Sequence, residues 1–192
     1  VGTGDVNGDG KDDLFIRNTA GKVVLYFLND TGGISSAKSV FTNVSFDVVD
    51  TVDVNNDGRT DIMIRNPATG KVVVYFLNPT GTIASLKTIF TNADYDVVAT
   101  GDVNADGISD IFIRNASGKV VVYFLNATGA IAGYKTVFTN ADYDVVGTGD
   151  VNADGICDIF IRNTSGKVVV YFLKATGAIA SGSEEDTSEL ES

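Results

Sequence analysis

A nine-residue, aspartate-rich pattern occurs four times in the chain and is the part of the sequence best suited to chemistry. The pattern is Asp-x-Asn-x-Asp-Gly-x-x-Asp, with oxygen-bearing side chains at positions 1, 3, 5 and 9. Because hard cations prefer carboxylate and amide oxygens, each copy predicts a metal site. The residues at these positions are Asp5, Asn7, Asp9 and Asp13; Asp53, Asn55, Asp57 and Asp61; Asp102, Asn104, Asp106 and Asp110; and Asp150, Asn152, Asp154 and Asp158.

The pattern favours calcium over other ions. Ca²⁺ takes about six to eight oxygen ligands, and the glycine at position 6 allows the sharp bend that lets the side chains converge. Magnesium demands a small octahedron, and zinc prefers His and Cys, of which the chain has none and one. We therefore expect about one Ca²⁺ per loop, four in total. Position 7 is expected to lend its backbone carbonyl, which leaves its side chain free to vary; it is Lys11, Arg59, Ile108 and Ile156.

The loops differ from EF-hand loops, which need a bidentate Glu at position 12. Isoleucine stands there instead, at Ile16, Ile64, Ile113 and Ile161. The alternative interpretation is that these are ordinary Asp/Asn/Gly turns between strands, which would be the default for a single copy. Four copies with every ligand position kept favour calcium, and four bound ions would change the net charge from −11 to −3.

The acidic composition of the chain makes some classes of binding partner unfavourable. The 192 residues include 14 Lys and Arg against 25 Asp and Glu. So acidic a surface disfavours nucleic acid and anionic membranes. No apolar run approaches the roughly 20 residues that a membrane span needs, and the start at Val1 lacks a signal segment. We expect no membrane insertion, and either removal of a signal segment or a chain that is part of something longer.

The acidic pattern also marks a tandem repeat. The motif Asp-Val-Asn recurs at spacings of 48, 49 and 48 residues. Cutting the chain at this motif predicts four repeats and an acidic, flexible tail: 1–52, 53–101, 102–149, 150–180 and 181–192.

Each repeat predicts four short β-strands. In the third repeat we expect strands near 96–102, 111–115, 119–126 and 135–139, because Val, Ile, Phe and Tyr runs alternate there with Gly- and Asn-containing turns. The third of these strands is apolar on both faces, so its sheet must be covered on both sides. Stacked four-stranded units of about 48 residues favour an all-β fold of β-propeller-type blades.

The last blade is expected to be incomplete. The fourth kind of strand occurs three times, and residues 181–192 lack the apolar residues to supply another. An open sheet edge invites pairing with another chain. The chain is therefore expected to be part of a larger propeller or to self-associate through its last blade, and a four-bladed ring closed within one chain is the competing option.

These motifs resemble a known family. The sequence from Asp144 to Gly155, followed by the segments that begin at Asp158 and Gly166, resembles the FG-GAP/VCBS repeat of extracellular bacterial proteins and, more distantly, of integrin α-subunit propellers. The resemblance covers about residues 1–180. It implies a calcium-carrying propeller, commonly of about six to eight blades, found in adhesins, lectins and accessory modules of secreted enzymes. This chain departs from that pattern in having four repeats.

Two further sets of residues recur at fixed places in the repeat. The arginine that ends the second strand could face a ligand, but an ion pair with an Asp of the adjoining repeat, or packing of the arginine stem, is the simpler expectation. The tyrosine of the third strand could stack on a sugar, but packing between blades is the simpler expectation. These residues are Arg17, Arg65, Arg114 and Arg162, and Tyr26, Tyr75, Tyr123 and Tyr171.

The sequence predicts binding rather than catalysis. It has no His, the commonest general base, and no nucleophile elbow or phosphate-binding loop, so no catalytic residue is assigned. We expect an extracellular or cell-surface adhesion, binding or structural module with an unknown protein or carbohydrate ligand. The alternatives are a calcium-dependent lectin that binds glycans between blades, and an accessory or self-assembling segment of a larger secreted protein.

Overall fold

Residues 1–180 are described by the computed structural model, and their regular structure consists of β-strands. Within this range no helix is long and apolar enough to cross a membrane. The strands are β1 (Gly2–Gly4), β2 (Asp13–Arg17), β3 (Lys22–Leu28), β4 (Ile34–Thr42), β5 (Asp47–Val52), β6 (Asp61–Asn66), β7 (Lys71–Leu77), β8 (Ile83–Thr91), β9 (Tyr95–Gly101), β10 (Asp110–Asn115), β11 (Lys119–Leu125), β12 (Ile131–Thr139), β13 (Tyr143–Gly149), β14 (Asp158–Asn163) and β15 (Val168–Tyr171).

The strands form four antiparallel sheets, each a simple meander in chain order. The first three sheets have four strands each, β1 to β4, β5 to β8 and β9 to β12, and the fourth has the three strands β13 to β15. We call these sheets blades 1 to 4. The predicted all-β fold of β-propeller-type blades, with a last blade of three strands within the described range, is confirmed. The predicted acidic tail, 181–192, lies outside the described residues.

One strand boundary was predicted wrongly. The fourth strand of the third repeat begins at Ile131 and not near residue 135. Its first half reads Ile-Ala-Gly-Tyr and carries few buried side chains, so it lacks the apolar alternation by which a strand is recognised. Pairing with β11, from Leu125 opposite Ile131 onward, holds this segment in the sheet.

The hairpin between the second and third strands depends on glycine and asparagine. In blade 3, Asn115 Oδ1 accepts hydrogen bonds from the backbone N–H groups of Ser117 (3.1 Å) and Lys119 (2.9 Å). Gly118 follows with a φ of 76°, in the left-handed region that suits glycine. The Gly118 carbonyl then accepts the N–H of Asn140, 3.1 Å away, where β12 ends. One turn thus fixes the ends of three strands.

The chain divides into two compact units. The first contains Val1–Asp94 and Asn126–Ala130, and therefore blades 1 and 2; the second contains Tyr95–Leu125 and the chain from Ile131, and therefore blades 3 and 4. In the first unit, Val6 and Phe15 of blade 1 pack with Ile62 and Ile64 of blade 2 in one buried cluster. Each unit thus has its core between two neighbouring blades.

The second unit repeats this arrangement with equivalent residues. Val103 and Phe112 of blade 3 pack with Ile159 and Ile161 of blade 4. The strand β11 has buried residues on both of its faces, among them Val120, Val121 and Val122. The expectation that this strand is covered on both sides is therefore confirmed.

Candidate metal loops and inter-blade grooves

Each acidic loop connects the first and second strands of its blade, and the side chain at position 1 folds the loop around itself. In blade 3, Asp102 Oδ2 accepts the backbone N–H of Gly107 at 2.7 Å, and its Oδ1 accepts the N–H of Asp106 at 3.2 Å. The bond from position 6 to position 1 recurs in the other three loops at 2.7 to 2.9 Å. All four loops therefore share one conformation.

Positions 3 and 5 are held together in the same way. In blade 3, Asn104 Oδ1 accepts the backbone N–H of Asp106 at 3.0 Å, and Asn104 Nδ2 donates to Asp106 Oδ2 at 3.0 Å. Asp106 Oδ1 accepts the N–H of Ile108 at 2.9 Å. The side chains of positions 1, 3 and 5 are thus brought together by short-range hydrogen bonds, and each carboxylate keeps unused oxygen lone pairs.

The backbone of the loops adopts the left-handed conformation twice. Position 6 is always glycine, with φ values of 78° to 82°. Position 4 also has positive φ, at 56° to 59° for Asn56, Ala105 and Ala153. For alanine this conformation costs about 1 to 2 kcal/mol, and such strain is retained where a loop has a function. The loops of blades 3 and 4 therefore keep an alanine at positive φ despite its energetic cost.

The aspartate at position 9 has a different environment, because it begins the second strand and is fully buried in every blade. In blade 2, Asp61 Oδ1 accepts the N–H of Leu77 at 2.9 Å, and its Oδ2 accepts the N–H of Val54 at 3.3 Å. The equivalent pair of bonds occurs in blades 1, 3 and 4. This carboxylate therefore ties the acidic loop to the far end of the third strand.

Burial changes the acidity of the position 9 carboxyls. Loss of hydration, together with the negative charges of Asp57 and Asp53, raises the pKa of Asp61 to about 7, although the two backbone hydrogen bonds act to lower it. Burial likewise raises the pKa of Asp110 to about 6. The pKa of Asp13 is raised for the same reason. A divalent ion beside these carboxylates would favour their charged form.

The side chains of each acidic loop are of the chemical kinds that calcium prefers as ligands. Each loop supplies three carboxylates and one amide, all hard oxygen donors, and three of the four side chains already converge. Over residues 1–180, no group of three or more His, Cys, Asp or Glu side chains is close enough to hold a metal ion. The position 9 carboxylate accepts two backbone N–H groups on the buried side. Binding would thus require these carboxylates to draw closer. The predicted carbonyl ligand at position 7 stays a prediction.

Position 7 separates the four loops into two classes. Lys11 Nζ lies 3.4 Å from Asp9 Oδ2 in the first loop, and Arg59 lies 3.6 Å from Asp57 Oδ2 in the second. In blades 3 and 4 the same position is isoleucine. A side-chain cation therefore already contacts the position 5 carboxylate in two of the four loops.

This difference predicts unequal calcium affinities. Replacing both cations, in the variant Lys11→Ile/Arg59→Ile, is expected to strengthen binding at the first two loops by about two- to fivefold at low salt, because an exposed ion pair competes weakly with the metal. Calcium titration calorimetry measures the change. Lys22→Ile, at an exposed lysine of β3, is the control and should leave the affinities unchanged. An equal gain in calcium affinity in both variants would contradict the idea that Lys11 and Arg59 compete with the metal.

Neighbouring blades are joined next to the metal loops. In the first unit, Thr60 of the second loop donates its backbone N–H to the carbonyl of Asp5 in the first loop, at 2.7 Å. In the second unit, Cys157 donates to the carbonyl of Asp102 at 2.8 Å. Cys157 packs in the buried cluster of the second unit, and this burial raises the pKa of its thiol to about 11.

Two of the recurring arginines and two of the recurring tyrosines make contacts between blades. Arg17 pairs with Asp47 of the next blade at 3.2 Å, and Arg114 pairs with Asp144 at 3.1 Å. For these two arginines the expected ion pair is present and joins neighbouring blades, although the repeat bounds 1–52 and 102–149 leave each arginine and its aspartate within one repeat. Two tyrosines form edge-to-face contacts with a phenylalanine of the preceding blade, and the expected inter-blade packing is confirmed for them: Phe41 with Tyr75, at 5.3 Å, and Phe138 with Tyr171, at 5.6 Å.

The turn between the third and fourth strands docks on the preceding blade. Gly81, in the turn of blade 2, lies so close to Leu25 and Phe27 of blade 1 that an added Cβ would lie within 3.0 Å of Leu25. Beside each docked turn in the first unit is an open groove. One groove has a volume of about 410 Å³ and is lined by Asn7, Phe27, Ser35, Ser36, Ala37, Lys38, Pro79 and Thr80.

The second groove lies one blade further along and has the same volume, about 410 Å³. Its lining residues occupy repeat-equivalent positions, for example Asn55, Phe76, Lys87 and Thr128, and Asp57 joins them. Sequence reasoning missed both grooves, although the recurrence of a lysine in each fourth strand was a usable signal. Both grooves include a candidate metal-loop residue.

Comparison with solved structures gives a broad match. The crystal structure of the rhamnogalacturonan lyase YesW matches with 14% sequence identity and a TM-score of 0.41. The match covers 92% of this chain and 42% of that chain, so the present chain spans less than half of the lyase. No curated protein is significantly similar in sequence.

Comparison with family models is more specific. The model of the FG-GAP-like repeat matches twice, at residues 5–64 and 53–113. Each match contains two consecutive acidic loops, and together they cover more than half of the 192 residues. By this match the chain belongs to the family of FG-GAP-like repeat proteins.

Proposed function

We propose that this protein is a non-catalytic, calcium-binding repeat module that acts outside the cell or at its surface as a binding or structural element. The supporting observation is the shared conformation of the four acidic loops, in which positions 1, 3 and 5 converge around the glycine at position 6. Four independent copies of one oxygen-rich geometry exceed what turn formation alone requires. The FG-GAP-like repeat family agrees with this interpretation.

Calcium would stabilise the blades through the loops. In blade 3 each loop carboxylate adds to a local negative charge, and Asp110 links that charge to the end of β11 through Leu125 N–H at 2.9 Å. A divalent ion neutralises this repulsion and fixes the connection between the first three strands. Millimolar calcium is typical of extracellular fluids and suits sites of about 10⁻⁴ to 10⁻³ M affinity. The need for millimolar calcium is the reason for proposing that the protein acts outside the cell or at its surface.

Calorimetric titration with CaCl₂ tests the proposal. We expect heat from about four sites with affinities near 10⁻⁴ to 10⁻³ M, and much weaker binding of Mg²⁺. The double variant Asp102→Asn/Asp106→Asn should lose about one site. Asp142→Asn removes an exposed charge outside the loops and should keep all sites. Absence of any calcium binding by the folded wild-type protein would contradict the proposal.

The two grooves favour a second candidate function, the binding of a polyhydroxylated ligand such as a sugar residue of a glycan. Each groove combines an aromatic side chain, an amide, several hydroxyl groups and a lysine, which is a suitable lining for a molecule with apolar C–H faces and many hydroxyls. Because Asn7 and Asn55 belong both to the grooves and to the acidic loops, ligand binding would depend on calcium.

Glycan-array binding, measured with and without chelator, tests this second candidate. The variant Lys38→Ala/Lys87→Ala removes one hydrogen-bond donor from each groove and should weaken binding at least tenfold if the sugar occupies the grooves. Lys22→Ala, at an exposed lysine of β3, is the matched control. Binding that survives both chelation and the groove variant would place the ligand elsewhere.

A further inference from the structure

Two neighbouring blades in each unit meet through a repeated set of contacts. We call the surface that a blade turns to the next blade its outgoing face, and the surface that it turns to the previous blade its incoming face. The outgoing faces of blades 1 and 3 and the incoming faces of blades 2 and 4 form the two buried clusters. The molecule therefore contains two observed examples of one interface.

The polar contacts of this interface also repeat. Thr51 Oγ1 of blade 2 donates to the Thr3 carbonyl of blade 1 at 2.9 Å, and Thr148 Oγ1 of blade 4 donates to the Thr100 carbonyl of blade 3 at 2.7 Å. The ion pair of Arg17 has its counterpart in that of Arg114. Apolar packing, a threonine hydrogen bond to a backbone carbonyl and one ion pair thus recur together.

The outgoing face of blade 4 carries the same residue types but is open. Val151 is 47% exposed, whereas its equivalent Val103 is fully buried. Val168 is 45% exposed, whereas its equivalent Val120 is fully buried. A Cβ added at Gly149 would touch nothing within 4 Å, although at the equivalent Gly101 it would collide with Cys157.

The incoming face of blade 1 is open as well. Ile16 is 46% exposed, whereas its equivalents Ile64 and Ile161 are buried at 0% and 1%. Ile34 is 61% exposed, whereas its equivalent Ile83 packs against the buried cluster between blades 1 and 2. Apolar residues that are buried where two blades meet are therefore exposed at the same repeat positions on the outgoing face of blade 4 and on the incoming face of blade 1.

The geometry points to head-to-tail self-association, in which the outgoing face of blade 4 in one copy packs against the incoming face of blade 1 in a second copy. The argument is continuity with the interface observed twice within the chain, since the open faces carry the same apolar residues at the same repeat positions. The contact is between blade faces and does not require the open edge of β15. It is also independent of whether the loops bind calcium.

A heterologous contact of this kind has a defined consequence. Each copy offers one outgoing and one incoming face, so association continues until a ring closes or a filament grows. Light scattering coupled to gel filtration should give the wild-type protein a mass that is a multiple of 20.2 kDa and that rises with concentration. A strict monomer over the range from 1 to about 500 μM would overturn the inference.

Variants at exposed positions block each face separately. Val151→Glu/Val168→Glu places charges on the outgoing face, and Ile16→Glu places one on the incoming face; each protein alone should be monomeric, since burying an unpaired carboxylate is costly. Leu86→Glu is the control, because Leu86 is 60% exposed and lies in β8 of blade 2, which carries neither of these two faces. It should associate like the wild type.

Mixing the two blocked proteins gives the decisive result. One retains a free incoming face and the other a free outgoing face, so an equimolar mixture should form a discrete 1:1 dimer of about twice the monomer mass. Circular dichroism and thermal melting of each variant show that it is folded. If the folded variants remain oligomeric alone, or if their mixture stays monomeric, association of these two faces is refuted.

Discussion

Calcium is expected to abolish the fall in stability that the protein shows with rising pH in its absence. In metal-free buffer, the free energy of unfolding should fall as the pH rises from about 4 to 8, because the pKa values of Asp61 and Asp110 are raised to about 7 and about 6. A carboxyl whose pKa is higher in the folded state than in the unfolded state binds its proton more tightly when folded. Its stabilising contribution is complete below pH 4 and is lost as the pH passes through the folded-state value.

If the loops bind calcium as proposed, 1 mM calcium should hold the same carboxylates in their charged form, so the free energy of unfolding should no longer fall with rising pH. Four sites of about 10⁻⁴ to 10⁻³ M affinity would add about 2 to 6 kcal/mol to the free energy of unfolding. Urea denaturation at a series of pH values, with and without calcium, measures both effects. Asp61→Asn should flatten the metal-free slope, and Asp142→Asn should not. Parallel slopes with and without calcium would exclude Asp61 and Asp110 as ligands.

The second large effect is expected from one methyl group in a hairpin. Gly118→Ala should destabilise the protein by about 2 to 5 kcal/mol. About 1 to 2 kcal/mol comes from the positive φ of 76°. The rest, about 1 to 3 kcal/mol, comes from a Cβ placed within 3.0 Å of the backbone of Asn140, which can move only with β12.

The chain offers a matched control in the same unit. Gly166 occupies the equivalent turn of blade 4 with a φ of 90°, but the nearest atom to an added Cβ is Arg162 NH2, at 3.8 Å. Gly166→Ala should therefore cost only the conformational part, about 1 to 2 kcal/mol. Thermal and urea denaturation of both variants give the difference. Equal losses would show that contact with Asn140 contributes nothing.

The repeat explains why so much of the fold follows from the sequence. The spacing of the acidic loops places one loop in each blade, and the Val-rich third strand demands cover on both faces. Strand order, the incomplete last blade and the Arg17 ion pair all follow from this repetition. Local features in the sequence were sufficient because each blade is a local meander.

Other features could not be predicted because distant segments create them. The groove beside the first loop brings together Asn7, Lys38 and Thr80, which come from three separate hairpins. Asp13 was predicted as a metal ligand from its position in the loop. Its bond to Leu28 N–H, 3.0 Å long, depends on how β3 ends, and the loop sequence contains no sign of it.

The hydrogen bond that Thr60 donates to the Asp5 carbonyl has a consequence for the order in which the loops fill. Asp5 and Asp61, the neighbour of Thr60, occupy positions 1 and 9 of successive loops, so an ion that fixes one of these residues reduces the motion of the other. The second ion of such a pair then meets a partly ordered loop and loses less conformational entropy. Calcium binding should therefore be positively cooperative within each hydrogen-bonded pair of loops, the first with the second and the third with the fourth.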